Sequence, residues 1–222
     1  MSRSDLSSKQ PRDVCDALFT KLFSKKENVL ELYKALHPDD AGAGLEDVRI
    51  IHPSVPIFPV GHYNELCFLA RGKLVAFLES KGAWCPNIAL ILLGFYGTFL
   101  EEHLGGDFLD EDALSPAGLQ IPMPEGWVLC TGEGPEDGAR VSTSDNFGPG
   151  ASIEFRIKVL RSGRPGTILA EYVEFSRVYA ENLKAFGNDA RRAAEETILA
   201  GLERGLFGGF LREHAEELTA LA

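Results

Sequence analysis

The sequence has little positive charge for its length. Its 222 residues include 22 lysines and arginines against 33 aspartates and glutamates, which gives a formal net charge of −11. Proteins that hold nucleic acid across a broad surface usually carry the opposite excess. Any contact with phosphates must therefore be local. The basic residues available for such a patch are Lys21, Lys25, Lys26, Arg71, Lys73, Arg156, Lys158, Arg161 and Arg164.

Cysteine is also scarce. The four cysteines, Cys15, Cys67, Cys85 and Cys130, are widely scattered and none forms a C-x-x-C pair. This spacing argues against a zinc site and against a disulfide scaffold. Buried free thiols in a reducing cytosol are the expected state, so we predict a cytoplasmic protein. Histidines are equally dispersed, without the H-x-x-x-H spacing of a metal-binding helix.

Long apolar runs are missing. The longest, from Ile88 to Leu100, is too short to span a bilayer and is interrupted by Gly94 and Gly97. The N-terminus is polar and lacks the apolar core of a signal peptide. We therefore expect no membrane partner. The length fits one domain over residues 1–222, with residues 1–11 as a flexible N-terminus.

What is present alternates between helical and strand patterns, which predicts an α/β protein. A stripe of apolar residues from Arg12 to Leu36 predicts one helix that Asp13 stabilises at its start. The other predicted elements are strands at Asp47–His52, Trp127–Thr131 and Ser152–Leu160, a loop at Glu133–Gly150, and helices at Ile88–Leu104, Val173–Phe186, Asp189–Arg204 and Leu206–Leu221.

A hairpin is predicted between Tyr63 and Lys81, with Arg71 and Gly72 at its turn. Its second strand ends in Glu79-Ser80-Lys81. Residues two apart in a strand share a face, so Glu79 and Lys81 are expected to project together. A carboxylate beside an ammonium is costly to bury, and one reason to do so is to hold a hard divalent cation.

The register of the hairpin decides whether Glu65 joins Glu79. If Ala70 faces Lys73 across a two-residue turn, Glu65 faces Leu78 and the two carboxylates lie on opposite faces. A three-residue loop, or a bulge at Gly72, would place Glu65 opposite Glu79. A shared cation requires the longer loop, and we predict that arrangement.

Several blocks of the chain resemble, in order, the recombination-promoting nuclease family, also described as PD-(D/E)XK-type transposases. The resemblance covers nearly the whole chain and is carried by the order of motifs of modest individual specificity. These blocks are Asp16–Phe23 with Lys26–Leu36, Asn64–Phe68, Glu79-Ser80-Lys81, Pro86-Asn87-Ile88, Pro122-Met123-Pro124 with Trp127–Gly132, Ile198–Phe207 and Phe210–Glu216.

The resemblance implies a restriction-endonuclease-like core, with a small mixed β-sheet flanked by helices and a C-terminal helical segment at residues 190–222. It implies a Mg²⁺-dependent DNA endonuclease, with Mn²⁺ as the alternative ion. Glu65 and Glu79 would bind the metal, and Lys81 would position the attacking water or stabilise charge on the phosphate. Glu31 is an auxiliary candidate from the first helix.

The chain departs from the family pattern around this site. Glu65 stands where the family has Asp, Lys81 where it has Gln, and Ile91 where it has Arg; Cys130-Thr131 replaces Tyr-Asn. The alternative function is therefore a nuclease fold that has lost catalysis and acts as a protein-interaction module. An apolar group near the C-terminus, Leu206, Phe207, Phe210 and Leu211, predicts either packing against the main sheet or the seam of a homodimer.

Overall fold

The computed structural model describes residues 13–40, 42–52, 57, 63–81, 84–104, 121–147 and 153–220. These residues form two compact units. One runs from residue 40 to residue 161 and is called the sheet unit. The other combines residues up to 39 with those from 162 onward and is called the helical unit. The expected flexible segment 1–11 lies outside the described residues, and the expectation of one domain over 1–222 stays a prediction.

The sheet unit is built on six strands in the order β1-β2-β3-β4-β6-β5. Strands β1, β2 and β3 form an antiparallel meander, β4 and β6 then run parallel to β3, and β5 pairs antiparallel with β6. The predicted α/β class with a mixed sheet is therefore confirmed. The bounds are β1 Val48–Ile51, β2 Tyr63–Ala70, β3 Lys73–Ser80, β4 Met123–Cys130, β5 Arg140–Ser142 and β6 Arg156–Leu160, with helices α3 Ile88–Leu104 and α4 Ser144–Phe147 and a 3₁₀ turn at Leu45–Asp47.

Helix α3 packs its apolar side on one face of the sheet. Leu92 and Phe95 belong to the same buried cluster as Leu78, Val128 and Ile157 of the strands. Burial of such side chains is the main favourable contribution to folding, at about 2 kcal/mol each. The predicted helix from Ile88 to Leu104 is confirmed. Within the described ranges, no helix combines the length and the hydropathy needed to cross a membrane.

The described residues of the helical unit form five helices, and their core is aromatic. Tyr172 is fully buried, packs edge-on against Phe19 at 5.8 Å between ring centroids, and donates its hydroxyl to the Cys15 carbonyl oxygen at 3.2 Å. Within the predicted C-terminal helical segment, residues Ala190–Glu203 and Phe210–Ala220 are helical. The bounds are α1 Val14–Leu22, α2 Lys26–Leu36, α5 Ile168–Ala185, α6 Ala190–Glu203 and α7 Phe210–Ala220.

The prediction of one helix from Arg12 to Leu36 is wrong, because the chain breaks between α1 and α2. At the break, the Ser24 hydroxyl donates to the Lys21 carbonyl oxygen and the Asn28 amide donates to the Leu22 carbonyl oxygen, both at 2.7 Å. These side chains satisfy the carbonyls that a continuing helix would have bonded. Asp13 does cap α1, since its carboxylate accepts from the Asp16 backbone N–H at 2.9 Å.

The C-terminal apolar group packs inside the helical unit. Leu206, Phe210 and Leu211 are buried. Gly201 of α6 lets Leu211 approach closely, since a Cβ at this glycine would lie 2.8 Å from the Leu211 Cδ1 atom. These contacts are made within the helical unit, and both alternatives that the sequence left open, packing against the main sheet and a homodimer seam, stay predictions.

Candidate functional site

Glu79 lies near the end of β3, and its side chain is 0% exposed. Its neighbour across the antiparallel ladder is Asn64 of β2. The Asn64 Nδ2 atom donates to the Glu79 Oε2 atom at 2.6 Å. The Lys81 Nζ atom lies 3.9 Å from the same oxygen, and the Lys81 side chain is 21% exposed. We call Asn64, Glu79 and Lys81 the Glu79 cluster; the predicted association of Glu79 with Lys81 is thus present.

Glu65 lies outside the Glu79 cluster. Its neighbour across the ladder is Leu78, which belongs to the core beneath α3. The Glu65 Oε2 atom accepts the backbone N–H of Ile57 at 3.0 Å. Cys67, two residues along the same face, is buried, and its burial raises the pKa of the thiol, with a smaller contribution in the same direction from the Glu65 carboxylate.

The prediction that Glu65 and Glu79 share a face is therefore wrong. The reason is the turn between β2 and β3. Ala70 pairs with Lys73, so only Arg71 and Gly72 form the turn. Both have positive φ angles, 51° and 73°, which is the backbone geometry of a two-residue type I′ hairpin. With this register, Glu65 and Glu79 project from opposite faces of the sheet.

The residues present do not fit a Mg²⁺ site shared by Glu65 and Glu79. A hard cation needs several oxygen ligands that converge on one point, and two side chains on opposite faces do not converge. Among the described residues, no group of three or more His, Cys, Asp or Glu side chains is placed to hold a metal ion. Glu31 lies on α2 of the helical unit with an exposed side chain, and its auxiliary role stays a prediction.

A second polar feature, which we call the basic strip, runs across the sheet from β3 to the β5 edge. It comprises Lys73 of β3, Arg140 of β5, and Arg156 and Lys158 of β6. Arg156 and Lys158 are two residues apart, and Arg140 pairs with Lys158, so these three share a face. The Arg156 and Lys158 side chains are 60% and 48% exposed. Three members of the strip, Lys73, Arg156 and Lys158, were predicted from the sequence as candidates for a basic patch, whereas Arg140 was not.

Carboxylates partly balance the basic strip. Glu125 lies between the two lysines, with Oε atoms 3.6 Å from Lys73 Nζ and 3.7 Å from Lys158 Nζ. Glu154 pairs with Arg156. Lys158 also lies over the Trp127 ring, 4.2 Å from its centroid, which is within the range of a cation–π interaction. The four basic residues of the strip still outnumber the two carboxylates beside them, although the chain as a whole is acidic.

Arg161, another predicted patch residue, has a structural role instead. Its guanidinium donates to the carbonyl oxygens of Gly132 at 2.7 Å and Pro135 at 3.2 Å. Its backbone N–H donates to the Asp137 carboxylate at 2.6 Å. Because its donors are occupied by the loop that follows β4, Arg161 fixes that loop. Arg71 is similarly engaged at the hairpin turn, within 4 Å of Asp40 and Asp47.

Comparisons with known proteins identify no relative. No protein-family model matches the chain, no curated protein is significantly similar to it, and no solved structure matches it.

Proposed function

We propose that this chain has a nuclease-type α/β core of the restriction-endonuclease-like plan in which the two-carboxylate metal site is incomplete, so that it acts as a binding module. The observation that carries this proposal is the hairpin register, which pairs Glu65 with Leu78 and Asn64 with Glu79. A site that hydrolyses phosphodiesters with one or two metal ions needs converging oxygen ligands. Here the residue opposite Glu79 is Asn64, whose side chain is an amide and not a second carboxylate.

The surroundings of Glu79 support a role in stability. A fully buried carboxylate is stable only when hydrogen bonds or a nearby charge compensate for the lost water. Asn64 supplies a hydrogen bond at 2.6 Å and Lys81 supplies a charge at 3.9 Å. These contacts give the Glu79 Oε2 atom a structural role in the fold. The proposed relationship to the recombination-promoting nucleases is supported by the order of the sequence motifs.

DNA is the partner that we propose, held weakly through the basic strip. Lys73, Arg140, Arg156 and Lys158 provide donors for phosphate oxygens, and such contacts position a duplex without reading its sequence. The net charge of −11 opposes the approach of any polyanion. We therefore expect binding that is detectable at low salt and lost steeply as salt rises.

The second candidate function is a metal-dependent DNA endonuclease that uses Glu79 and Lys81. The distance of 3.9 Å between Lys81 Nζ and Glu79 Oε2 favours it, because a lysine beside a metal-binding carboxylate can orient a water or stabilise charge on a phosphate. On this alternative, Glu79 would be the protein's carboxylate ligand to Mg²⁺ or Mn²⁺, and Glu65 would take no part.

The first test is conversion of supercoiled plasmid to open circle at low salt with Mg²⁺ or Mn²⁺. The four proteins compared are wild type and the variants Glu65→Asp, Glu79→Gln and Lys81→Ala. The binding-module proposal predicts that all four are inert with either ion. Wild-type nicking that disappears in both Glu79→Gln and Lys81→Ala would establish the endonuclease instead.

The second test is DNA binding by fluorescence anisotropy. The double variant Arg156→Ala/Lys158→Ala removes half of the basic strip. The matched control is the double variant Arg177→Ala/Arg191→Ala, which removes two exposed arginines of the helical unit, paired with Glu181 and Glu195. Binding should weaken several-fold in the first and stay unchanged in the control. Equal loss in both would mean that only the overall charge matters, which contradicts a role for the strip.

A further inference from the structure

Three neighbouring strands of the sheet unit place a tyrosine, a serine and a cysteine in a row. Tyr63 of β2 is opposite Ser80 of β3, and Ser80 is opposite Cys130 of β4. Residues directly opposite each other on paired strands share a face, so the three side chains project together. All three are buried. The row therefore brings a thiol to the same side of the sheet as the Tyr63 phenol.

A second cysteine reaches this row from the segment that precedes α3. The pKa of the Tyr63 phenol is raised, first of all by burial, and contact with the Ser80 hydroxyl acts in the opposite direction. Contact with the backbone of Cys85 also lowers this pKa, whereas negative charge on the Cys85 and Cys130 thiols would raise it. These influences place the phenol beside both cysteines.

The packing around Gly134 brings the same two parts of the chain together. A Cβ atom added to Gly134 would lie 2.6 Å from the Cys130 Sγ atom and 3.7 Å from the Cβ atom of Trp84. Trp84 is the residue directly before Cys85. The end of β4 and the segment before α3 are thus packed against each other at the two cysteines. Direct packing of this kind supplies the proximity that a disulfide needs.

The two cysteines differ in their access to solvent. Cys85 is partly exposed, whereas Cys130 is buried. The Cys130 Sγ atom accepts from Arg161 Nη1 at 3.5 Å and donates to the Glu133 carbonyl oxygen at 3.4 Å. A guanidinium beside the sulfur stabilises the negative charge that it carries when it attacks another sulfur. An accessible thiol with a second thiol close behind it is the arrangement of a redox-sensing pair.

We propose that Cys85 and Cys130 are a redox-responsive pair, which a hydroperoxide converts into a reversible disulfide within one chain. The Cys85 sulfur attacks the peroxide, so that an S–O bond forms, the O–O bond breaks, and water or an alcohol leaves. The Cys130 sulfur then attacks the Cys85 sulfur; the S–S bond forms, and the oxygen leaves as water with the Cys130 proton. Two thiols are oxidised and one peroxide is reduced. This inference is independent of the DNA-binding proposal, because neither cysteine belongs to the basic strip.

Peptide mapping by mass spectrometry without reductant, after the full chain is treated with hydrogen peroxide, tests the proposal. Wild type is expected to give one linked pair of peptides, which contain Cys85 and Cys130, and dithiothreitol should separate them. The matched controls are Cys15→Ser and Cys67→Ser, which remove the other two cysteines, both buried. Each control should form the same linkage. Absence of the linkage in wild type, linkage through Cys15 or Cys67, or linkage between two chains overturns the proposal.

The order of the two steps gives a second readout. In Cys130→Ser, the sulfenic acid formed at Cys85 has no second thiol to attack it, so dimedone should label Cys85 more strongly than in wild type. In Cys85→Ser, the linkage should disappear and Cys130 should stay unlabelled, because it is buried. Circular dichroism confirms that each variant is folded. Equal dimedone labelling of Cys85 in wild type and Cys130→Ser would contradict the pairing and overturn the proposal.

Discussion

The two faces of the β2–β3 hairpin use their carboxylates differently. On one face, Glu79 is fully buried with Asn64 and Lys81 beside it. On the other face, Glu65 accepts a backbone N–H from Ile57 and lies along the same face as Cys67. The two residues occupy neighbouring positions on paired strands, and their side chains belong to separate environments. The length of the turn is enough to separate them. A turn with one more residue would move every side chain of one strand to the other face.

The two carboxylates are expected to differ most in how much each contributes to the free energy of unfolding. Glu79→Ala would leave the Lys81 ammonium and the Asn64 amide without their buried acceptor, so we expect a loss of about 3 kcal/mol in the free energy of unfolding. Glu65→Ala removes one hydrogen bond from a half-buried position and should cost about 1 kcal/mol. Urea denaturation of both variants measures the order. A larger loss for Glu65→Ala would contradict the structural role assigned to Glu79.

The turn that separates the faces can be tested through Gly72. Its φ of 73° lies in the left-handed region, which an alanine enters at a cost of about 1 kcal/mol. We therefore expect Gly72→Ala to destabilise the protein by that amount. The control is Gly94→Ala on α3, where an added Cβ meets nothing within 4 Å and helix propensity favours alanine. Thermal unfolding should show opposite signs, and equal small shifts would argue against the two-residue turn.

The smallest expected effect concerns the thiol of Cys67, which reports the charge on the Glu65 face. Burial first, and Glu65 second, raise the pKa of this thiol. Glu65→Gln should therefore lower that pKa slightly and speed alkylation at alkaline pH, since the thiolate is the reactive form. Glu79→Gln should leave the pKa of the thiol unchanged, because the Glu79 side chain lies on the opposite face. Mass spectrometry of the Cys67 peptide measures the alkylation rate as a function of pH in each variant, and a thiol pKa lowered by Glu79→Gln would contradict the placement of the two carboxylates on opposite faces.

Periodicity predicted much of the fold. The alternation around Tyr63–Lys81 predicted both hairpin strands, and the apolar run from Ile88 predicted α3 with its observed bounds. The break between α1 and α2 was missed because the apolar stripe continues across it, while side-chain bonds from Ser24 and Asn28 end the first helix. Strand β5 was missed because three residues are too few for a pattern and the strand forms by pairing with β6.

The candidate site was less predictable than the fold. The pairing of Glu79 with Lys81 could be predicted from the sequence, because residues two apart in a strand share a face. The position of Glu65 depends on whether the turn has two or three residues, and Arg71-Gly72 permits both. Arg71 adopts a positive φ, which favours glycine or asparagine, so its sequence gives little warning of a type I′ turn. The basic strip depends on long-range pairing of β5 with β6, which no local pattern encodes.

A double-mutant cycle tests the central claim, that Glu65 and Glu79 act separately, most directly. The free energy of unfolding would be measured for wild type, Glu65→Gln, Glu79→Gln and the double variant, with and without Mg²⁺. Carboxylates on opposite faces should give additive effects within about 0.5 kcal/mol under both conditions. A coupling of more than about 1 kcal/mol that appears or grows when Mg²⁺ is added would show a shared cation and contradict the account.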